Sequence, residues 1–413
     1  RGNIYTFLDG KDFINDKGAA VKYKPSKAKV SDIIDACSSI CPIKKSWPTW
    51  LDDRDSPDPA RLIAFQNGVL DINDYISGKI TLYDPTPDLF TFNVLPYDFD
   101  ERLESQLWND TLLGVVEGDE ERVRFFSQWF GYNLVPDMSL EKFLLMKGPP
   151  GSGKSTVLHA MTSMLGLGNW AATDFSTLAY QFGFESLIGK LAAVIGDEVA
   201  LQKGQESAVL KRILNIVGRD PINVHIKFKD SLPDTHLRCR FTFAMNDYPA
   251  FKDPDQALKR RIIIVPFNKT FTDSPDTSLK DQLATEAAQG KLVNFALRGL
   301  KDLYSSGEFA IPAISQYHHQ AFLEFVSPMV EFTKQCVVAD PAHGEPLDYL
   351  YDVWKWWITR EGRHLCLKST FVRNLCTYMN TVHIRENEVG NGQSAVMGVR
   401  VNEWAKSGHS RGA

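Results

Sequence analysis

The residues with the clearest chemistry form a glycine-rich segment near the middle of the chain. An apolar run, residues 143–146, precedes the segment, and a helical pattern, residues 157–161, follows it. Strand, glycine-rich turn and helix are the context of a phosphate-binding loop. Glycine backbone lets successive N–H groups face one anion, and the helix N-terminus adds positive potential. The segment consists of Gly148, Pro149, Pro150, Gly151, Ser152, Gly153, Lys154, Ser155 and Thr156.

Two side chains of this segment predict how a nucleoside triphosphate would be held. Lys154 would reach the β- and γ-phosphates, and the Ser155 hydroxyl would ligate Mg²⁺. A glycine-rich turn can also simply join a strand to a helix. The complete pattern with both flanks favours phosphate binding, so the sequence predicts a site for a nucleoside triphosphate and Mg²⁺.

Two carboxylates follow a second apolar run. Residues 191–196 indicate a buried parallel strand, and Asp197 and Glu198 come directly after it. Ligands of open α/β sheets sit at the carboxyl ends of strands, which would place both carboxylates beside the phosphates. Asp197 could hold Mg²⁺, directly or through water, and Glu198 could orient and deprotonate the attacking water. Acidic residues after a strand also cap helices, but together with Lys154 the pair favours catalysis.

Three further polar residues lie next to apolar strands. Asn246 ends one such run, where its amide could hydrogen-bond the γ-phosphate or the lytic water, although Asn is also common in turns. Arg260 and Arg261 precede the apolar run 262–265, which Pro266 closes. Either arginine could reach the nucleotide of a neighbouring subunit as an arginine finger, or both could simply be surface residues. The sequence does not choose between the two arginines.

A basic stripe lies between the carboxylates and the asparagine. Residues 222–229 alternate apolar and polar, 230–234 predict a turn, and 237–245 predict the return strand of a two-stranded ribbon. The polar face could contact the phosphates of a nucleic acid strand, although a solvated face is the alternative. On that face the ribbon would present His225, Lys227 and Lys229.

The bulk composition limits the classes of protein that fit. The chain of 413 residues is long enough for two or three domains, and 43% hydrophobic with 23% charged residues is a globular composition. No apolar run approaches a membrane span, and the start at Arg1 indicates a piece of a longer or processed polypeptide. Six scattered cysteines favour a reduced, intracellular protein. A net charge of −5 argues against coating nucleic acid over the whole surface but permits a local basic channel.

The surrounding patterns predict the elements that position these residues, and they divide the chain into four parts. We expect an α+β region at 1–100, a helical region at 101–140, an ATPase domain at 141–305 and a C-terminal domain at 306–413. The C-terminal domain could be a winged helix that offers Lys368 and Arg373 to phosphate, or a packing or ring-contact domain. The predicted elements are a hairpin around Asn67 and Gly68, helices at 101–115, 119–134, 207–217, 279–303, 346–362 and 370–379 (the last capped by Ser369), and a strand at 397–401.

Together these motifs resemble those of superfamily 3 helicases. More narrowly, they resemble the helicase part of phage and plasmid primase-helicases, the group that includes the poxvirus primase-helicase. The resemblance spans about Arg61 to Phe267, half of the chain, and this chain has Arg219 where the family often has a second glycine. The matching stretches are 148–156, 195–198, 211–218 with Asp220 and Lys227, 243–246, 259–262 with 266–267, and an entry region at 65–71 and 131–132.

The resemblance implies an α/β protein with a P-loop ATPase core of the AAA+-like superfamily 3 type. It implies an ATP-dependent DNA helicase of a viral or plasmid replication protein, in the cytoplasm of the host cell. The family acts on single-stranded and forked DNA as a ring, usually a hexamer, moving 3′ to 5′. Each site would take Lys154, Asp197, Glu198 and Asn246 from one subunit and an arginine from the next. A primase-polymerase module often precedes this region in relatives.

Two other classes of protein use a phosphate-binding loop. A small-molecule kinase would need neither the basic ribbon nor a water-activating Glu198, because its site must exclude water. A nucleotide-gated DNA-binding scaffold would bind DNA with slow hydrolysis or none, against which Glu198 and the paired arginines argue. The response of ATP hydrolysis to single-stranded DNA distinguishes the three classes.

Overall fold

The structure is a computed structural model that describes residues 2–40, 47–52, 54, 57–196, 205–249, 251, 257–271, 276–326, 328–361, 365–379, 382–389 and 393–412. Its first hundred residues form short elements. The predicted hairpin is confirmed, because its two strands pair antiparallel with Phe65 opposite Gly68. The elements are α1 (Gly2–Leu8), β1 (Asp12–Ile14), β2 (Ala20–Lys22), α2 (Lys27–Ile40), β3 (Thr49–Trp50), β4 (Leu62–Phe65), β5 (Gly68–Asp71), α3 (Ile72–Ile76), β6 (Leu82–Tyr83) and β7 (Leu89–Phe90).

Two helices lead from this region into the central sheet, as predicted. They are α4 (Gln106–Val115) and α5 (Glu120–Tyr132). Each begins at a side-chain cap: the Ser105 hydroxyl accepts from the Trp108 N–H, and the Asp119 carboxylate accepts from two N–H groups of the first turn. Such caps satisfy N–H groups that have no partner within the helix.

The centre of the molecule is a five-stranded parallel sheet. Its strand order is β14-β8-β13-β10-β9, and every neighbouring pair is parallel. The chain is therefore an α/β protein, and these strands are apolar along their length because both faces of the sheet are covered. The elements are β8 (Phe143–Lys147), α6 (Lys154–Leu165), β9 (Trp170–Ala172), α7 (Phe175–Ala179), β10 (Ala192–Ile195), α8 (Glu206–Val217), β11 (Ile222–Val224), β12 (Leu232–Thr235), β13 (Arg240–Met245) and β14 (Ile262–Pro266).

The register of the sheet defines two edges with different residues. Met245 and Pro266 both lie opposite Lys147, so β8, β13 and β14 end together at what we call the carboxyl edge. Ile262 lies opposite Phe143, so β8 and β14 begin together at the amino edge. The two edges are about 16 Å apart, because each of these two strands has five residues at about 3.3 Å per residue.

The predicted long helix after β14 is wrong, because it consists of two helices. They are α9 (Leu279–Ala288) and α10 (Val293–Ser306). Gly290 lies between them with φ of +78°, a left-handed conformation that ends α9 and redirects the chain. The apolar pattern continues across the break because both helices bury residues in the same core.

The C-terminal region has a sheet and a core of its own. Its antiparallel sheet has the order β15-β17-β16, and the core packs Phe332, Trp354, Trp357 and Phe371 together. Across the described residues, no helix combines the length and hydropathy that a membrane span requires. The elements are α11 (Ala313–Val326), α12 (Pro328–Cys336), β15 (Val337–Pro346), α13 (Leu347–Arg360), α14 (Lys368–Tyr378), β16 (His383–Val389), β17 (Gln393–Val401) and α15 (Glu403–Gly412).

Two C-terminal predictions need correction. The predicted cap Ser369 lies inside α14, which begins at Lys368 after Leu367 without a side-chain cap. The predicted strand 397–401 is only the second half of β17, because residues before Met397, such as Ala395 and Val396, also pair with β16. The start of α13 after Pro346 is confirmed, whereas its predicted end at Gly362 lies outside the described residues.

Two hydrophobic clusters cover the faces of the central sheet. One lies under α4, α5, α6, α9 and α10, and the other lies under α7, α8 and part of α11. The first cluster also includes side chains of the N-terminal hairpin and of residues 95–99. The Tyr97 hydroxyl, at 2.8 Å, donates to the Met164 carbonyl, and the Phe65 and Phe99 rings are 5.2 Å apart. The N-terminal hairpin and the central sheet thus share one core.

Candidate functional site

The glycine-rich segment forms the turn between β8 and α6 at the carboxyl edge. Gly151 and Gly153 have φ of +73° and +92°, the left-handed conformations that the sequence predicts for them. A Cβ on Gly148 would lie 2.1 Å from the Phe267 carbonyl oxygen, so only glycine fits there. The strand, the glycine-rich turn and the helix thus follow one another as the sequence predicts, with the N-terminus of α6 at the turn.

Lys154 is held inside this turn. Its side chain is 5% exposed, and its ammonium donates to the carbonyls of Gly148 and Pro149 at 2.6 and 2.8 Å. The ammonium is also 3.3 Å from the Ser152 hydroxyl oxygen. A lysine at the first position of a helix, surrounded by oxygen atoms, provides a fixed positive charge beside the helix N-terminus. An anion entering the turn would meet this charge directly.

The structure brings Asn246 to the same place. The Lys154 ammonium is 3.1 Å from the Asn246 side-chain oxygen, although the two residues are 92 positions apart in the sequence. The contact arises because β13 lies next to β8 and both strands end at the carboxyl edge. The backbone supports it, since the Gly148 N–H donates to the Met245 carbonyl at 3.1 Å.

The predicted Mg²⁺ ligands are only partly described. Ser155 is exposed in the first turn of α6, and its hydroxyl oxygen accepts from the Lys280 ammonium at 3.1 Å. Asp197 and Glu198 lie outside the described residues, and β10 ends at Ile195 at the carboxyl edge. A serine hydroxyl is a hard oxygen donor, and Mg²⁺ needs few protein ligands because substrate phosphates supply others. Ser155 therefore fits a site for Mg²⁺ bound to a triphosphate.

A second group of residues next to the turn connects it to α11. The Tyr248 hydroxyl is 3.0 Å from Nδ1 of His318, and the Lys147 ammonium lies 4.8 Å from the centre of the Tyr248 ring. Burial and the nearby Lys147 ammonium lower the pKa of His318. Burial also lowers the pKa of its neighbour His319, which contacts the backbone at the start of β14.

Arg260 and Arg261 lie at the amino edge, away from Lys154. The Arg261 carbonyl accepts from the Phe143 N–H at 2.9 Å, which fixes both arginines at the start of the sheet. The Arg261 guanidinium is 14% exposed and lies 3.7 Å from Glu141. Arg260 is exposed, and within the described part of the chain no residue pairs with its guanidinium. The structure thus separates two residues that the sequence could not distinguish.

Arg219 also pairs with Glu141 at the amino edge. It adopts φ of +63°, the conformation for which a glycine is usual, immediately after the end of α8. Its guanidinium lies 3.3 Å from Glu141, the carboxylate that also faces Arg261. Arg219 therefore adopts a left-handed turn conformation although it is not a glycine.

The predicted basic ribbon needs correction. Residues 240–245 are not its return strand but the central strand β13, which is fully buried and pairs in parallel with β8 and β10. The true partner of β11 is β12, which includes three of the five residues predicted as a turn. The three basic residues therefore lie in the loop between two short strands rather than on one strand face. They are His225, Lys227 and Lys229.

The loop presents an aromatic side chain that the sequence analysis missed. Phe228 is 92% exposed and has φ of +61°, a rare conformation for a bulky residue. The Lys227 ammonium lies 5.2 Å from the centre of the Phe228 ring, and the Lys227 N–H donates to Glu185 at 3.3 Å. The sequence does place an aromatic residue between two lysines, but the alternation of a β-strand predicted that Phe228 faces inward.

The other residues named from the sequence are less informative. In the C-terminal region, the Lys368 ammonium pairs with Asp348, and Arg373 lies on the same helix, α14. Five cysteines of the described chain are free thiols. None of the described His, Cys, Asp and Glu residues forms a group of three that could hold a metal ion.

Comparisons with known proteins give one matching family profile and matches to solved structures at low sequence identity. The profile of DUF5906, a family of unknown function, matches residues 146–261, a range that contains every residue predicted for the nucleotide site and for the basic ribbon. No curated protein matches the chain. The A form apo structure of the NrS-1 C terminal region is 13% identical, with 96% of this chain and 99% of that chain covered and a TM-score of 0.43. The apo structure of NrS-1 305–718 is 13% identical over 78% and 80% of the two chains, with a TM-score of 0.41. Similarities at this level assign no activity to this chain.

Proposed function

We propose that this chain is an ATPase that couples hydrolysis between subunits to movement along single-stranded DNA, as in the helicase part of a phage or plasmid replication protein. The observation that supports this most is the contact between Lys154 and Asn246 at the carboxyl edge, 3.1 Å apart. A glycine turn alone binds an anion. A glycine turn joined to an amide on the neighbouring strand can also sense whether the terminal phosphate is present.

The residues of the turn would act in sequence. On nucleotide binding, the Lys154 ammonium exchanges the carbonyls of Gly148 and Pro149 for phosphate oxygens, which are charged and therefore stronger acceptors. This exchange frees the Asn246 amide to hydrogen-bond the γ-phosphate or a water molecule. Mg²⁺, when bound through Ser155, would neutralise charge that develops on the phosphate oxygens. Glu198 would take a proton from the attacking water.

The strand order supports an AAA+-like core. Within the sheet, β13 separates β8, which leads into the phosphate-binding turn, from β10, which leads to Asp197 and Glu198. The inserted strand places Asn246 between the two groups. Such an additional strand is typical of ATPases whose conformation responds to hydrolysis, and nucleotide sits at the carboxyl ends of these strands.

The distance between the edges supports a site shared by two subunits. Arg260 is at the amino edge, about 16 Å from the carboxyl edge of its own sheet by the length of β14. An arginine there cannot reach the triphosphate of its own chain, but it can reach that of a neighbour placed head to tail. Repeating that contact closes a ring, for which we propose a hexamer of identical chains. Arg260 is the proposed finger because Arg261 is occupied by Glu141.

The loop between β11 and β12 is the proposed DNA contact. Lysine ammonium groups attract phosphates, and an exposed aromatic ring stacks on unpaired bases, which is the usual combination in proteins that bind single strands. Phe228 offers the ring, and Lys227 and Lys229 flank it. In the C-terminal region, the order α12-β15-α13-α14-β16-β17 and the sheet order support a winged helix as a second DNA-contacting or ring-contacting domain.

The test is the rate of ATP hydrolysis measured with and without single-stranded DNA. A motor hydrolyses ATP faster with DNA, a small-molecule kinase ignores DNA, and a scaffold binds DNA without turnover. Glu198→Gln should bind ATP but not hydrolyse it. A protein with no DNA-stimulated hydrolysis at any ATP concentration would exclude the proposed motor.

A further inference from the structure

Residues 267–271 and the first turn of α9, which both follow β14 in the chain, contact the glycine-rich segment and its flanks at three points. The last of these contacts is made by a side chain, whereas the first two are made by the backbone. The three hydrogen bonds run from the Phe267 N–H to the Lys147 carbonyl at 2.7 Å, from the Phe271 N–H to the Gly151 carbonyl at 2.9 Å, and from the Lys280 ammonium to the Ser155 hydroxyl oxygen at 3.1 Å.

The third contact comes from a helix in a fixed position. Lys280 lies in the first turn of α9, and α9 packs along α6, with Leu283 and Ala287 fully buried in the shared core. The backbone of Lys280 is therefore held, while its exposed side chain can change rotamer at little expense in packing. A lysine of this kind keeps a positive charge next to the turn without being locked to one partner.

This lysine binds the oxygen atom that the proposed ATP site offers to Mg²⁺. A hydroxyl oxygen has two lone pairs, and Mg²⁺ requires near-ideal octahedral geometry at about 2.1 Å. An ammonium group 3.1 Å from the same oxygen would lie next to the metal, where two cations repel each other. Lys280 and Mg²⁺ therefore compete for Ser155, and both are attracted by a triphosphate.

We propose, building on the proposed ATP site, that Lys280 is an additional cation of that site supplied by the same chain. Without Mg²⁺ its ammonium holds Ser155 and neutralises phosphate oxygens. When Mg²⁺ binds with the nucleotide, the ammonium leaves Ser155 and turns toward the outer phosphate oxygens. Because binding couplings are reciprocal, Lys280 reduces the factor by which Mg²⁺ strengthens nucleotide binding.

The test measures AMP-PNP binding by calorimetry, once in EDTA and once with excess MgCl₂. In EDTA, Lys280→Met should bind AMP-PNP about three- to fivefold more weakly than the wild type, the effect of one exposed charge pair. With MgCl₂ the two proteins should differ less, so the gain from Mg²⁺ is larger in the variant. Lys280→Arg keeps the charge and should show a gain close to that of the wild type. Lys301→Met, on the exposed side of α10, is the matched control.

The possible outcomes separate this inference from the proposed function. If the wild type does not bind AMP-PNP in either condition, the ATP site itself is wrong and the role of Lys280 is excluded with it. If the wild type binds but Mg²⁺ strengthens binding equally in Lys280→Met, only the role of Lys280 is excluded. An arginine variant that behaves like the methionine variant would also overturn it, because charge would then not explain the effect.

Discussion

Lys154 at the carboxyl edge and Arg260 at the amino edge of the central sheet hold their positive charges in opposite ways. At the carboxyl edge, Lys154 is 5% exposed, and its ammonium is bonded to two carbonyls and an amide oxygen of the same chain. At the amino edge Arg260 is exposed, and in the loop between β11 and β12, which follow α8 in the chain, Phe228 is 92% exposed. The carboxyl edge therefore holds Lys154 inside the turn, whereas the amino edge exposes Arg260 to solvent.

The difference indicates which molecules each edge can bind. A fixed ammonium with short contacts is preorganised for a small anion, since little entropy is lost on binding. Exposed guanidinium and aromatic groups lose more entropy on ordering, so they suit a large partner that contacts several of them together. Two unlike surfaces on opposite edges also fit a head-to-tail contact between copies, which is heterologous and can close a ring.

The largest expected effect is that of removing the buried charge at the carboxyl edge. Lys154→Ala should lower ATP hydrolysis by about 10³-fold or more, because the charge that meets the triphosphate is lost. Steady-state phosphate release measures the effect, with Lys301→Ala as the control for loss of a lysine elsewhere. Hydrolysis within tenfold of the wild type would mean that the carboxyl edge is not the nucleotide site.

The next effect concerns the exposed arginine at the amino edge. Arg260→Ala should lower hydrolysis by about 10³-fold while leaving nucleotide affinity unchanged, as for a charge supplied in trans. Arg261→Ala should mainly lower stability, by about 1 kcal/mol, because it breaks the contact with Glu141. The reverse ranking of the two variants would assign the finger to Arg261.

Mixing two inactive variants is the sharpest test of this second prediction. Equimolar Lys154→Ala and Arg260→Ala chains should regain activity, because roughly a quarter of the interfaces in a random ring contain both intact residues. Each variant alone should remain inactive at the same total concentration. A mixture no more active than its components would show that the two edges do not meet between subunits.

A smaller effect is expected in the loop between β11 and β12. Phe228→Ala should weaken binding of single-stranded DNA by about 1–3 kcal/mol without changing its dependence on salt, since stacking releases no counterions. Lys227→Ala should weaken binding and reduce the slope of log affinity against log salt by about 0.7. Fluorescence anisotropy at several salt concentrations distinguishes the stacking contribution from the phosphate contact. Equal slopes for wild type and Lys227→Ala would exclude a phosphate contact by that lysine.

The smallest effect concerns the two histidines of α11. Their lowered pKa values mean that the unfolded chain binds more protons than the folded chain. The contribution of the two neutral histidines to the free energy of unfolding is therefore fully present above pH 6.5, the ordinary pKa of histidine. It is lost as the pH falls through their lower pKa values in the folded state. Between about pH 7.5 and about pH 5.5, urea unfolding should show a smaller loss of unfolding free energy for the variant with His318→Asn and His319→Asn than for the wild type. An unchanged loss would mean that neither histidine is responsible.

The sequence predicted those parts of the molecule that depend on local patterns. The turn at residues 148–153, the strand that became β10 and the hairpin β4-β5 were predicted because glycine, apolar runs and an Asn-Gly pair act within a few residues. The α/β class was implied by the resemblance that these motifs carry, and the parallel sheet agrees with it. The roles of Lys154, Ser155 and Asn246 in ATP binding and hydrolysis stay predictions.

The remaining features depend on which strands are neighbours, which local patterns do not encode. The pairing of β11 with β12 was missed because an apolar strand and a short alternating strand both fit as partners. Lys280 and Ser155 are 125 residues apart and meet only because α9 packs on α6. Arg260 and Arg261 could be distinguished only from the position of Glu141, which pairs with Arg261 and which no spacing in the sequence indicates.

The shared core of the N-terminal hairpin and the central sheet limits how the protein can be shortened. Deleting residues 1–100 would leave the neighbours of Phe65, Tyr97 and Phe99 exposed to water. Exposing one large apolar side chain costs about 1.5–3 kcal/mol of folding free energy, so such a fragment would aggregate rather than fold. Expression of the ATPase part as an independent unit therefore has to begin before Leu62, at the start of β4.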